Sequence, residues 1–249
     1  MSYINHYSYK CLLGVQSKNI QEIGHLATWT VGKKKHFTCL GVLDLEDIKF
    51  LTVFGSTNFH YLSEENMLLL KQHFKIDKGK LNSCCINMDS LHYIGRKYHG
   101  IRGAINKNQK LNLTIQDHFN SLQDVKEMLE EWSNVIANKY FRDFSGKNYF
   151  FYKSNFHLDC MNTFVYDQDK MIAFACLSPG EYSAYIIGKA LFNRYPGLSE
   201  YVDDLAYQKA IQAGTKIVNL GQSKGNIAKY KDKFPNSYNV IHYDGSIIC

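Results

Sequence analysis

Residues 197–234 constrain the fold of this chain more than any other stretch, because each boundary within them carries a physical marker. Apolar residues recur at helical spacing from Leu198 to Ala213, which predicts an amphipathic helix. Gly214 follows where a left-handed helix cap would fall. Residues 216–220 form a short β-branched run that predicts a buried strand, and a lysine-rich segment follows at residues 229–233. The predicted order is therefore helix, strand, loop and short helix.

The rest of the second half predicts one more long helix and several antiparallel strands. Residues 118–140 carry apolar side chains at helical spacing, with Ser121 or Asn120 as the N-cap. An Asp-Gln-Asp turn at residues 167–169 predicts a hairpin between the runs on either side of it. Strands are predicted at residues 149–156, 160–166, 170–177, 181–188 and 237–242.

The first part of the chain predicts a smaller unit of mixed structure. Three apolar, β-rich runs at residues 25–31, 36–45 and 48–56 predict a strand meander. Ser63 can accept hydrogen bonds from the first-turn amides of a helix over residues 64–74. Residues 81–88 predict another strand.

A basic segment at residues 94–110 follows this unit. On a helix its isoleucines and Tyr98 share one face, and its lysines and arginines are spread over the remainder. Three glycines weaken the helix by about 1 kcal/mol each relative to alanine. They would also let the backbone approach a ligand closely. The segment either binds an anion or forms a solvated basic face.

Composition favours an anionic partner and a cytoplasmic location. The net charge is +6 and the pI is about 8.8. Seven scattered cysteines without CxxC spacing predict reduced thiols rather than disulfides or a metal site. The N-terminus lacks the pattern of a signal peptide, and no run approaches the roughly 20 apolar residues of a transmembrane helix. Walker A, G-x-S-x-G, H-E-x-x-H and G-x-G-x-x-G motifs are also missing from the sequence.

A strand that ends in Asn219-Leu220-Gly221, followed by Tyr230-Lys231-x-x-Phe234, resembles the last part of a GNAT-like acyltransferase domain. It is similar in particular to the C-terminal catalytic domain of phosphatidylglycerol lysyltransferases and, more distantly, to the Fem peptidyltransferases. The resemblance spans residues 90–240 and implies an α+β, tandem GNAT-like fold. Each half would be a mixed, mostly antiparallel sheet flanked by helices, with half-domains at residues 1–115 and 116–249.

The same resemblance implies roles for particular residues. Lys231, at the family's aromatic-Lys-x-x-Phe position, would contact donor phosphate or the developing oxyanion. From their place on the helix beside the expected cleft, Asp203 or Asp204 could bind the donor's α-ammonium or take the acceptor's proton. Asn219, Gln222, Tyr230 and Tyr98 would contact substrate. The donor or nucleic-acid contacts would be Lys97, Arg102, Asn106, Lys107 and Lys229.

Acetyl-CoA-dependent members of this superfamily hold pyrophosphate on a glycine-rich turn at a helix N-terminus. The matching residues, 188–197, lack closely spaced glycines, although Lys189 and Arg194 could hold phosphate. We therefore expect an aminoacyl-tRNA co-substrate, no other cofactor, and an amine, hydroxyl or anionic acceptor. Two alternatives remain open at this stage: acyl-CoA-dependent N-acylation, and a protein without catalytic activity that binds nucleic acid through its basic segments. The lysyltransferases usually carry a membrane-embedded domain, and no such segment is found in this sequence, so a lipid acceptor is not assumed.

Overall fold

A computed structural model describes residues 20–135, 160–222 and 225–248. The first half of the fold contains strands β1 (Gln21–Ile23), β2 (Leu26–Val31), β3 (Lys34–Cys39), β4 (Thr57–Leu62) and β5 (Lys75–Asn87). Its helices are α1 (Leu45–Phe54), α2 (Glu64–His73) and α3 (His99–Gln109). Two short 3-10 helices, Met88–Ser90 and Arg96–Tyr98, lie between β5 and α3.

The second half contains strands β6 (Leu113–Gln116), β7 (Met161–Asp167), β8 (Lys170–Leu177), β9 (Tyr182–Ala190), β10 (Ile217–Gln222) and β11 (Ser237–Ile248). Its helices are α4 (Leu122–Val135), α5 (Leu198–Gln212) and α6 (Gly225–Lys231). The predicted strand at residues 149–156 and the end of the predicted helix at 118–140 lie outside the described residues. None of the described helices has both the length and the hydropathy needed to cross a membrane.

All eleven described strands join one sheet in the order β1-β2-β3-β4-β11-β5-β10-β9-β8-β7-β6. Pairing is antiparallel except for the pairs β3/β4 and β9/β10, which are parallel. The order is nearly symmetric about β11 and β5, which pair from Lys75–Ile248 to Ile86–Ser237. Because β11 also borders β4, and β5 also borders β10, each half supplies a central strand to the other. The α+β, tandem arrangement predicted from the sequence is confirmed, and the boundary at residues 115/116 stays a prediction.

Helix caps account for several boundaries that the sequence predicts. The Ser63 side chain accepts from the Asn66 amide at 3.3 Å at the start of α2. At the start of α4, the Ser121 hydroxyl accepts from the Asp124 amide and the Asp124 carboxylate accepts from the Ser121 amide, both at 3.2 Å. Ser121 rather than Asn120 is therefore the cap. Gly214 takes the left-handed conformation, with φ of +79°, just after α5.

The expected strand at residues 48–56 is wrong, because Leu45–Phe54 forms helix α1. The Asp44 carboxylate accepts from the amides of Glu46 and Asp47, at 2.9 and 3.0 Å. The Asp47 carboxylate accepts in return from the Asp44 amide at 3.0 Å. This capping box starts a helix in spite of the β-prone side chains that follow. The segment at residues 94–110 is α-helical only from His99, since Gly95 has a φ of +93°.

Candidate active site

The parallel strands β9 and β10 pair only at their first residues. The pairs are Tyr182–Ile217, Ser183–Val218 and Ala184–Asn219. Both strands continue past these pairs with no further pairing between them among the described residues. A cavity of about 350 Å³ lies at this gap, lined by side chains from α4, β9, α5, β10 and α6.

This cavity reaches both faces of the sheet. Lys189 in β9 lies directly opposite Phe174 in β8, so the two side chains share a face. The Lys189 ammonium lies 4.2 Å from the ring centroid of Trp132, which places α4 on that face. Gly188 and Tyr185 lie on the opposite face of the sheet, where the Tyr185 hydroxyl donates a hydrogen bond to Asp203 on α5. The gap between β9 and β10 therefore connects a pocket under α4 with a pocket under α5.

Asp203 is the carboxylate of this cavity. The side chain is almost fully buried, and Oδ1 accepts from the Tyr185 hydroxyl while Oδ2 accepts from the Tyr230 hydroxyl at 2.7 Å. Burial raises the pKa of Asp203 to about 6, although the two tyrosine hydrogen bonds act in the opposite direction. Both oxygens keep lone pairs that can accept a proton or bind an ammonium group.

A glycine makes this arrangement possible. A Cβ atom on Gly188 would overlap the Tyr185 hydroxyl, so a larger residue would displace the tyrosine from Asp203. The pairing register between β8 and β9 shifts between Cys176 and Leu177, and this irregularity sets the direction of Tyr185. Tyr207, which is fully buried and also lines the cavity, packs edge-on against Tyr185, with ring centroids 6.2 Å apart.

Lys231 is the second charged group of the cavity. Its ammonium donates to the carbonyl oxygens of Leu220 and Gly221, at 2.5 and 3.0 Å, at the end of β10. Burial lowers the pKa of Lys231 to about 8, and the nearby Asp203 acts weakly in the opposite direction. An ammonium at this position remains mostly protonated at neutral pH.

Lys189 is the third charged group, and its pKa is also lowered to about 8 by burial. The sequence suggested a phosphate contact for Lys189 and for Arg194. The structure places Lys189 inside the cavity over Trp132, whereas Arg194 Nε lies 2.8 Å from the carboxylate of Glu131. Trp132, which belongs to the apolar stripe of the helix predicted at residues 118–140, also lines the cavity.

The other predicted residues divide between structural positions and the surface. Asp204 is buried beside Tyr93 and Gln208 rather than in the cavity, and burial raises its pKa. Arg102 Nη1 donates to the carbonyl oxygens of Tyr93 and Gly95, at 2.5 and 2.8 Å, and so holds the loop before α3.

Two further predicted residues, Tyr98 and Asn219, also lie outside the cavity. Tyr98 packs edge-on against Tyr93, and the Asn219 carboxamide accepts from the Gly221 amide at 2.7 Å. Gln222 ends β10, and its side chain lies outside the described residues.

Two of the predicted basic residues meet in a second depression. A groove of about 460 Å³ is lined by Lys97 next to α3, by Lys229 on α6 and by Lys233 just after it, together with the acidic residues Glu200 and Asp232. Lys233 also pairs with Glu200 at the start of α5, at 3.2 Å. Asn106 and Lys107 are exposed on α3 and line neither this groove nor the cavity.

Solved structures resemble this chain at low sequence identity. The C-terminal domain of a putative lysylphosphatidylglycerol synthetase from Agrobacterium fabrum has a TM-score of 0.71 and 14% identity, covering 98% of this chain and 88% of that one. FemX has a TM-score of 0.63 and 10% identity, covering 95% of this chain and 90% of FemX. An acetyltransferase of the GNAT family from Colwellia psychrerythraea has a TM-score of 0.53 and 9% identity, covering 94% of this chain and 84% of the acetyltransferase.

No protein-family model and no curated protein sequence matches the chain. The structural likenesses show the fold, and the GNAT-like acyltransferase fold that the sequence predicted is confirmed.

Proposed function

We propose that this chain transfers an aminoacyl group from aminoacyl-tRNA to an amine or hydroxyl acceptor, in the cavity between β9 and β10. One observation carries the proposal: a buried carboxylate, Asp203, held by two tyrosine hydroxyls in the same cavity as the Lys231 ammonium. A base and a cation in one mostly apolar cavity suit acyl transfer, because a proton must leave the nucleophile while negative charge develops on oxygen.

In the proposed reaction, the acceptor's nitrogen or oxygen attacks the ester carbonyl carbon of the donor. Asp203, with a pKa of about 6, accepts the proton that the nucleophile releases. The Lys231 ammonium stabilises negative charge on the ester oxygens as the new bond forms. The bond from the carbonyl carbon to the ribose oxygen then breaks, and the proton passes from Asp203 to that oxygen.

The turn between β9 and α5 favours tRNA over coenzyme A as the donor. Pyrophosphate binding at this turn needs free backbone amides. The amides of Arg194 and Tyr195 instead donate to the Leu191 carbonyl, and the Leu198 amide donates to the Tyr195 carbonyl.

Helix α3 also covers the start of α5. A Cβ atom on Gly197 would lie 2.6 Å from the Ala104 side chain, and the Asn108 amide group donates to the Pro196 carbonyl at 3.3 Å. A pyrophosphate approaching this helix end would meet α3.

The groove next to α6, where three lysines outnumber the acidic residues Glu200 and Asp232, offers a path for the tRNA backbone. Lys97, Lys229 and Lys233 present ammonium groups from two separate elements. Such contacts bind phosphate without reading the base sequence, and their strength falls as salt rises. The groove lies next to the cavity along α6, since Lys229 lines the groove while Tyr230 and Lys231 line the cavity. We expect the protein to act in the cytoplasm, where aminoacyl-tRNA is available.

A donor assay tests the proposal. Purified protein is mixed with radiolabelled aminoacyl-tRNAs and an extract of candidate acceptors, and label is followed in products that resist RNase. We expect label that disappears when the donor is treated with RNase beforehand. Transfer from acyl-CoA alone would replace the proposal with acyl-CoA-dependent N-acylation. Tight, salt-sensitive RNA binding without transfer from either donor would instead indicate a binding protein without catalytic activity.

A further inference from the structure

The walls of the cavity between β9 and β10 are mostly apolar. Among the described residues that line it, the charged groups are Asp203, Lys189 and Lys231. Much of the remaining surface is made of the side chains of Trp132, Phe192, Val202, Leu220 and Ile227. A volume of about 350 Å³ is enough for an acyl group with an aromatic or branched aliphatic side chain.

The charges of the cavity oppose a second cation on the acyl side chain, beyond the α-ammonium that every aminoacyl donor carries and that Asp203 can bind. Lys189 and Lys231 have pKa values of about 8, so both are mainly protonated at neutral pH. Asp203 is mainly ionised at that pH, and its two oxygens already accept hydrogen bonds from Tyr185 and Tyr230. Among the lining residues that the structure describes, these three groups together carry about one positive charge. Like charges a few ångströms apart repel strongly where apolar walls exclude water.

Lys189 places its ammonium group on the α4 side of the cavity. Its ammonium lies 4.2 Å from the Trp132 ring centroid, and an acyl side chain that extends toward α4 would meet this cation and the indole together. A lysyl or arginyl side chain would bring a second cation to the same position. An uncharged apolar side chain would instead bury its surface against Trp132 and the neighbouring aliphatic residues.

We propose that the cavity selects donors whose acyl side chain is uncharged and apolar, and that Lys189 is the residue that excludes cationic acyl groups. This inference rests on the proposed function, since it names the acyl group that would be transferred in the same cavity. It sets this chain apart from a lysyl-specific enzyme by the chemistry of its own pocket. An anionic side chain would pair with the Lys189 ammonium, but removing its carboxylate from water costs about as much as the pairing returns, whereas an apolar side chain has no such cost.

Binding of non-reactive donor analogues tests the inference without requiring transfer. Adenosine carrying a phenylalanyl, leucyl, glutamyl or lysyl group through a 3′-amide is titrated by calorimetry. A parallel series on coenzyme A thioethers carries phenylalkyl, branched alkyl, carboxyalkyl and aminoalkyl groups. In whichever series binds, we expect the two apolar analogues to bind at least about tenfold tighter than the cationic one.

The variant Lys189→Met should narrow the ratio of apolar to cationic affinity by about tenfold or more. Lys126→Met removes a charge from the exposed face of the same helix as Trp132 and should leave the ratio unchanged. Equal or tighter binding of the cationic analogue, or tightest binding of the anionic one, would overturn the inference. If the cationic acyl group is transferred as well as the apolar ones, the proposed function stands and the proposed selectivity is refuted. If neither series binds, both are overturned.

Discussion

Replacing Lys189 by methionine should stabilise the fold, because burying this charged ammonium group in the native cavity is energetically unfavourable. Burial lowers the pKa of Lys189 from 10.5 to about 8, which corresponds to about 3 kcal/mol of destabilisation at neutral pH. Methionine has a similar length and no charge, but it loses the cation–π contact with Trp132, worth about 1–2 kcal/mol. We therefore expect the free energy of unfolding to rise by about 1–2 kcal/mol at pH 7.

The sign of the pH dependence follows from the lowered pKa. Between pH 8 and 10.5 the unfolded chain binds more protons at this lysine than the native chain does. The wild-type protein therefore gains stability relative to the variant as the pH rises through this range. The advantage of Lys189→Met should be complete below pH 8 and should have mostly disappeared near pH 10.

Urea denaturation at pH 7 and near pH 10 measures this difference directly. Lys126→Met serves as the control, since it also replaces a lysine by methionine but at an exposed position on the helix that carries Trp132, outside the cavity. A less stable Lys189→Met protein, or an advantage that is equal at both pH values, would contradict the assignment of Lys189 to a buried, charged position.

Four further predictions concern the cavity, the loop before α3 and the groove. The transfer rate should rise through about pH 6 as Asp203 ionises and fall through about pH 8 as Lys231 loses its proton, and Lys231→Arg should move the upper limit to higher pH. Gly188→Ala should displace the Tyr185 hydroxyl and reduce kcat by about tenfold or more, with little change in tRNA affinity measured by filter binding. Arg102→Ala should lower the free energy of unfolding by about 1–3 kcal/mol in urea titrations, because two loop carbonyls lose a charged donor. Lys97→Ala should instead mainly weaken tRNA binding.

Local markers predicted much of the fold. Ser63 and Gly214 mark helix ends in the sequence and do so in the structure. The expected strand at residues 48–56 failed because the Asp44–Asp47 capping box starts a helix there. The long pairing of β5 with β11 joins residues about 160 positions apart, and no local pattern encodes such a contact.

The candidate site was only partly predictable for a related reason. Lys231 and Asp203 were singled out by resemblance, and both line the cavity. Tyr185 and Gly188 were missed because a register irregularity in β9 decides which way the tyrosine points, and a simple strand alternation does not reveal it. Arg102 matched a basic pattern, yet its guanidinium is engaged by backbone carbonyls of its own loop.

The most direct test of the central claim compares label transfer from aminoacyl-tRNA by Lys231→Ala, Asp203→Asn and the control Lys126→Ala. The two cavity residues lie on separate elements, α5 and α6, and both side chains are directed into one cavity. We predict that Lys231→Ala and Asp203→Asn each reduce transfer by about a hundredfold or more, with native circular dichroism and unchanged tRNA binding. Transfer that persists within about threefold of wild type in both folded variants would contradict a reaction in the cavity between β9 and β10.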